Sequence, residues 1–476
     1  MAETRREFMK TVGATVAAGA LAAGGAVGEP RAKRPNFIVF LTDDQGYGDL
    51  SCVGSDTVIT PNLDAVAASG VRFTQWYSNS PVCSPSRAAL MTGRYPGNAG
   101  VRSILGGHRT APGLPGEVPT LATALRDQGY RTAVFGKWHL GLQDDNRPEA
   151  HGFDESFGFY AGCVDYFSHI FYWSGNHDPL HDLWENGKEV YANGRYLTEL
   201  IAERAVDYLR RSRDDQRPFF LYVPFNAPHY PMHAPQAYLD RFPDLPWDRR
   251  IMAAMIAAVD DAVGTITAEL RAQNLLDDTC IFFSSDNGPS RETRNWLDGR
   301  TDPYYGGSAG KLKGHKFSLF EGGVRMPALM SWPKRIPSQR VVDGVGAHMD
   351  VFPTLLRAAG GDPSAYALDG EDVMPWVAGE AEPTERTVFW EQQGQTAVRR
   401  GPWKLVLNGE LVEGEPAPDT VHLANVVEDM GERENRASNE VKVTEELKAA
   451  AESWRAGIEA RWRDEWKPKR DAKSRA

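Results

Sequence analysis

Residues 36–41 (NFIVFL), 218–223 (PFFLYV) and 279–285 (TCIFFSS) are almost unbroken apolar, β-rich runs. Such runs mark strands covered on both faces. Residues 71–77, 130–136 and 328–332 read as further strands. Between them lie segments with helical spacing: 61–70 (Leu63, Val66, Ala67), 118–129 (Leu121, Ala124, Leu125), 195–212 (Leu197, Leu200, Ile201, Ala205, Leu209) and 250–270. Strands alternating with helices predict an α/β fold with a large mixed, mainly parallel sheet sandwiched by helices. Residues 350–356 start one more helix, ending at Gly360-Gly361, and 375–383 read as a linker. The period then changes. Residues 388–390, 396–399 and 403–407 are short runs broken at Gly394 and Gly401-Pro402, and 421–423 adds another. They predict a smaller antiparallel sheet. A charged amphipathic helix over 443–466 and a solvated basic tail over 467–476 complete it. The expected domains are 35–375 and 384–476.

Length and composition support this division. A chain of 476 residues is long for one core and fits a large domain plus a smaller one. A formal charge of -11 argues against a general nucleic-acid binder, so no nucleic-acid partner is expected. Four cysteines, Cys52, Cys83, Cys163 and Cys280, are too few for a disulfide scaffold. Arg5-Arg6-Glu7-Phe8-Met9-Lys10 before an Ala/Gly/Val run reads as a twin-arginine signal over 1–28. That run is too short and glycine-rich for a stable membrane span. The expected partner is the twin-arginine export machinery, and the expected location is periplasmic or secreted.

Polar residues gather where the apolar runs stop, and ligand sites of α/β sheets lie beyond the carboxyl ends of strands. Asp43-Asp44 follows the first run and Asp286-Asn287 the run 279–285. Adjacent carboxylates repel unless a cation compensates, and this oxygen set suits Ca²⁺, with Mg²⁺ as the alternative. Read in isolation, Asp43-Asp44 fits a solvated turn better than a metal site. Lys137-Trp138-His139 follows 130–136, with the lysine and histidine on one side of an extended backbone. His229 follows 218–223, with His233 as a competitor. Asp260 and Asp261 fit a capping or solvated role better than a ligand role. The aromatics of 151–193 suit either sugar stacking or a satellite core.

The segment 80–96 (SPVCSPSRAALMTGRYP) places Cys83 at the mouth of a helix that ends near Gly93, with Arg87 one turn on. Cys83-Ser84-Pro85-Ser86-Arg87 with Leu90, Thr92, Gly93 and Arg94 resembles the signature of the type I sulfatases. So do Lys137-Trp138-His139-Leu140-Gly141 and Lys316 five residues before Glu321-Gly322-Gly323. The resemblance implies an alkaline-phosphatase-like fold. It also implies that a maturation enzyme oxidises Cys83 to formylglycine, whose hydrate attacks a sulfate ester. It further implies that Asp43, Asp44, Asp286, Asn287 and residue 83 hold the metal, and that Arg87 holds the aldehyde hydrate. Lys137 and Lys316 would clamp sulfate. His139 would take the proton that triggers sulfate release, and His229 with Lys316 would protonate the leaving oxygen. The expected substrate is a sulfated carbohydrate. A phosphonate or phosphate ester hydrolase of the same superfamily and a non-catalytic sulfoglycan-binding relative are the rival readings.

Overall fold

A computed structural model describes residues 34–172, 178–291 and 306–473. The proposed signal at 1–28 and Trp173 lie outside them. Ten strands form the main sheet: β1 (Asn36–Thr42), β2 (Val71–Tyr77), β3 (Arg131–Lys137), β4 (Glu155–Phe159), β5 (Trp184–Glu185), β6 (Lys188–Glu189), β7 (Phe219–Pro224), β8 (Thr279–Ser285), β9 (Arg325–Ser331) and β10 (Arg340–Ala347). Their order is β10-β2-β9-β8-β1-β7-β3-β4-β5-β6. The central block β8-β1-β7-β3-β4 is parallel throughout. The outer pairs are mostly antiparallel, with β2 and β10 parallel.

β1 explains why unbroken apolar runs mark this sheet. Its residues Ile38 and Phe40 pack with α1 (Pro61–Ala68), α4 (Leu197–Arg211) and α5 (Trp247–Ala272). Phe37, Val39 and Leu41 point the other way, into α2 (Cys83–Thr92), α3 (Leu121–Asp127) and α6 (Val351–Ala358). Alternation sends successive side chains to opposite faces, and helices cover both. Among the described residues α5 alone is long and apolar enough to cross a membrane, and 72% of its most apolar window is buried within the fold. Asp260 on α5 accepts from the backbone N–H of Asn62 and Leu63 at 3.1 and 2.8 Å, so it caps the start of α1.

The second sheet is antiparallel, in the order β11 (Thr387–Gln392), β12 (Gln395–Arg400), β13 (Trp403–Leu407), β14 (Val421–Asn425). Helix α7 (Val441–Arg461) packs on it through Leu447 and Ala451. The tail expected to be solvated is exposed over Lys467–Lys469, and it is helical over Lys467–Lys473. Buried Trp466 anchors it, Lys469 pairs with Glu117, and Arg470 donates to the carbonyls of Gly100 and Pro112. The loop aromatics join the two main cores instead of forming a satellite one, Tyr160 and Trp184 on one face of the sheet and Tyr166 and Tyr196 on the other. Tyr160 stacks on Trp184 and Tyr166 on Tyr196, and all four are buried.

Candidate active site

Strand order brings the polar strand ends together. β1 lies between β8 and β7, and Thr42 is in register with Ser285. Asp43 and Asp44 therefore emerge beside Asp286 and Asn287. The Asp44 N–H donates to Asp286 Oδ1 at 3.1 Å, with Asp44 at φ 63°. β3 lies beyond β7, and Lys137 at its end reaches back to Asp43, Nζ to Oδ2 2.5 Å. Helix α2 begins at Cys83 itself, with Val82 as N-cap. The helix thus starts before the Ser84-Pro85 step. Its Gly93 ends it at φ 67°, as expected.

The charges balance within a dry volume. Asp43, Asp44 and Asp286 face Arg87, Lys137 and Lys316, and none is more than 3% exposed. Arg87 donates from Nε and Nη2 to Asp286 Oδ2 at 3.0 and 2.7 Å, and from Nη1 to the Lys137 carbonyl at 3.0 Å. Burial pushes Asp286 up, but Arg87 and Lys137 outweigh it and hold this carboxyl down at about 2. For Asp43 burial prevails over Lys137 and carries it up to about 6. Lys316 donates to Asp44 Oδ2 at 2.9 Å. It stands on no strand end. Its loop is held by Lys316 N to the Pro289 carbonyl, Phe317 N to the Pro81 carbonyl, and Gln395 of β12 to the Phe317 carbonyl.

The two histidines have assignable lone pairs. His229 Nδ1 lies 2.5 Å from the Tyr230 carbonyl, which only accepts, so Nδ1 carries the proton. Nε2 lies 3.2 Å from Lys316 Nζ and 3.6 Å from Asp44 Oδ2. His139, at φ 53°, donates from Nε2 to the Leu105 carbonyl at 3.3 Å, and among the described residues its buried Nδ1 has no hydrogen-bond partner. Burial, with Lys137 and Arg87 beside it, pushes its imidazole well below the usual range. The ring is a neutral acceptor. His233 pairs with Asp165 at 3.4 Å instead, away from this group.

Asp43, Asp44, Cys83 and His229 each place a ligand atom within 4.8 Å of the others. Asp286 and Asn287 stand next to this set. Asn287 donates from Nδ2 to Asp44 Oδ1 at 2.6 Å, and its buried Oδ1 has no partner among the described residues. Burial drives the Cys83 thiol well above its ordinary pKa, so it stays protonated, and it donates to Asp43 Oδ1 at 3.6 Å. A protonated thiol is a poor nucleophile.

His348 is a part of this region that sequence reading passed over. It is fully buried, directly after β10, and links Ser86 of α2 to Ser284 of β8. The signal was available: it is one more polar residue at the end of a strand.

Comparison with known proteins gives a consistent result. A family model described as Sulfatase matches residues 35–361. N-acetylgalactosamine-6-sulfatase of Canis lupus familiaris is 36% identical over 401 residues, covering 80% of this chain and 72% of that protein. Arylsulfatase A of Homo sapiens is 34% identical over 414 residues, covering 81% and 76%. Among solved structures, Ps i-CgsB in complex with k-i-k-neocarrahexaose superposes with a TM-score of 0.78 at 30% identity, covering 93% of this chain and all of that one.

Proposed function

The chain belongs to the sulfatase family, and from that premise we propose that it releases sulfate from a sulfated carbohydrate, with residue 83, oxidised to formylglycine, as nucleophile and a bound Ca²⁺. The observation that carries this reading is the convergence of three carboxylates and three cations, all buried, on the mouth of the helix that begins at Cys83. The carbohydrate part rests on the relatives, one named for N-acetylgalactosamine and one solved with a neocarrahexaose.

The donor set fits a hard divalent cation. Asp43, Asp44 and Asp286 offer carboxylate oxygens, and Asn287 offers the buried Oδ1 that has no hydrogen-bond donor. Turning the Asn287 amide over would set two oxygens face to face, an arrangement that a cation favours. The present charges sum to zero, so two added positive charges would make the cup attractive to a sulfate ester. In the mature enzyme the hydrated aldehyde supplies the attacking oxygen that a protonated thiol cannot, and the metal supplies positive charge beside the sulfate.

The chain's own residues do the rest. Arg87, locked on Asp286 and the Lys137 carbonyl, orients residue 83. Lys137 and Lys316 hold sulfate oxygens. His139 accepts at Nδ1 the proton whose removal lets sulfate leave. His229, fixed through Nδ1, passes a proton between Lys316 and the leaving alcohol oxygen. Residues 384–476 act as a supporting domain, since Gln395 holds the loop of Lys316. Cys83 is 2% exposed, so a maturation enzyme would meet it before the fold closes, hence before export of the folded protein to the periplasm or beyond.

The test combines peptide mass with rates. The peptide spanning 80–87 should carry an aldehyde, and the converted enzyme should cleave an aryl sulfate faster than the matching aryl phosphate. Cys83→Ala should abolish turnover, and a Ca²⁺ chelator should lower both rate and melting temperature. Preference for phosphate would favour the rival hydrolase. A converted enzyme that releases no sulfate from any ester would overturn the reading.

A further inference from the structure

Helix α2 and strand β8 carry the two halves of the proposed reacting centre, residue 83 and Asp286-Asn287. They are tied twice. The first tie is the Arg87–Asp286 ion pair. The second is neutral and runs through His348. Its Nδ1 is 3.2 Å from Ser86 Oγ, and its Nε2 is 3.1 Å from Ser284 Oγ.

The direction of these hydrogen bonds follows from their far end. Ser284 Oγ is 3.0 Å from the Pro327 carbonyl, which can only accept. The Ser284 proton is therefore spent there, and Ser284 must accept from His348 Nε2–H. One proton on a neutral ring leaves Nδ1 as acceptor, so the Ser86 hydroxyl donates to it. Ser78 Oγ is 2.9 Å from Ser86 Oγ, but it donates its one proton to the Ser80 carbonyl at 2.5 Å and so stands outside the chain. Burial holds the His348 imidazole down at about 3, consistent with a neutral ring. The chain of donors runs Ser86, His348, Ser284, Pro327.

The placement gives this chain leverage. The Ser86 N–H closes the first turn of α2 on the Val82 carbonyl at 3.2 Å, and that turn begins with Cys83. Ser284 is two residues before Asp286. We infer that His348 is a positioning residue, one that sets the first turn of α2 against the end of β8 and so fixes residue 83 relative to Asp286 and Asn287. Arg87 ties the far side of α2 to Asp286; His348, bonded at both ring nitrogens, ties its first turn to β8. The inference rests on residue 83 being the reacting centre.

The test uses full-length enzyme, with rates expressed per aldehyde found in the 80–87 peptide, so that poor maturation is not counted as poor catalysis. His348→Phe should lower kcat on an aryl sulfate by about tenfold to a hundredfold, the scale of a small misplacement, with KM within twofold. His348→Gln keeps a donor to Ser284 and should recover part of the loss. Ser86→Ala alone should lower kcat about as much as His348→Gln, and adding it to His348→Gln should change nothing further. Additive effects of the two substitutions, or a kcat per aldehyde within twofold of wild type in His348→Phe, would overturn the inference. If His348→Phe fails to fold, the Ser86 and His348→Gln pair decides alone. An unconverted wild-type enzyme as active as the converted one would instead sink the reading of residue 83 and leave the hydrogen-bond chain untouched.

Discussion

Around Cys83, Asp43, Asp44 and Asp286 face Arg87, Lys137 and Lys316. At the junction of the two sheets, Glu321 and Glu432 face Lys404, Arg325 and Arg399, and these too are buried. Glu321 is saturated: Oε1 accepts from Lys404 at 2.8 Å, and Oε2 from Tyr77 and Arg325 at 2.8 and 3.0 Å. Arg399 donates to the Tyr77 hydroxyl and to Gln75. Burial opposes the charge on Glu321, yet Lys404 and Arg325 hold it down at about 2. Asp43 has the same burial and the opposite outcome, carried up to about 6. Within the active cluster only Asp286, locked on Arg87, resembles Glu321. Buried charge alone therefore does not mark a site. The active cluster differs in the neutral acceptors it leaves open: among the described residues, His139 Nδ1 and Asn287 Oδ1 have no hydrogen-bond partner.

The sharpest way to break this contrast is to neutralise Asp43. Asp43→Asn should cut sulfate release by about 10³-fold, the scale of losing a key electrostatic group. In metal-free protein the same change should leave the melting temperature unchanged or raise it, because burial already disfavours that charge. Melting after chelation, alongside sulfate release, measures both. A large loss of stability would mean that Asp43 is satisfied like Glu321, and the contrast would fail.

Glu321→Gln should do the reverse. It leaves Lys404 and Arg325 with less compensation in a dry place, which costs about 3 kcal/mol or more. Denaturant unfolding measures the loss. Sulfate release per folded molecule, assayed in the cold, should stay within about twofold of wild type. A tenfold fall in that rate would make Glu321 part of the catalytic machinery.

The two clusters also differ in how readable they were. The strand ends could be read because parallel strands buried on both faces are conspicuous, and the residue after each is placed by topology: Asp43, Lys137, His229 and Asp286. Cys83 and Arg87 could be read because a helix mouth is a local feature. Lys316 came only through the family resemblance. Its loop has no period of its own, and its support, Gln395, comes from the other sheet. Glu321 and Lys404 lie 83 residues apart, and no local pattern records that they meet. His348 satisfied the strand-end rule, yet a neutral histidine bonded to two serines leaves no charge signature. The exposure of the tail could be read from its charge, and its helical form could not.

The smallest expected effect concerns pH and separates Glu432 from Glu321. Burial raises the Glu432 carboxyl to about 7, against the pull of Lys404 and with Glu321 adding to the rise. A carboxyl raised in the folded state stabilises the fold fully below its unfolded pKa, near 4.5, and that contribution is lost as pH climbs through 7. Glu321, held low, acts in the other window: its contribution is present above about 4.5 and falls away only in acid. Between pH 4.5 and 7 Glu432 therefore adds a falling slope that Glu321 does not, beside the one from Asp43. Glu432→Gln keeps an oxygen for the Glu321 N–H, 2.6 Å away in the wild type, and removes the titrating proton. From pH 5 to 8 the wild type should lose about 1–2 kcal/mol more unfolding free energy than this variant, after discounting the coupled pair. Urea titrations at a series of pH values would measure it. Parallel curves for the two proteins would mean that Lys404 satisfies both glutamates, and that the junction cluster holds no unsatisfied charge at all.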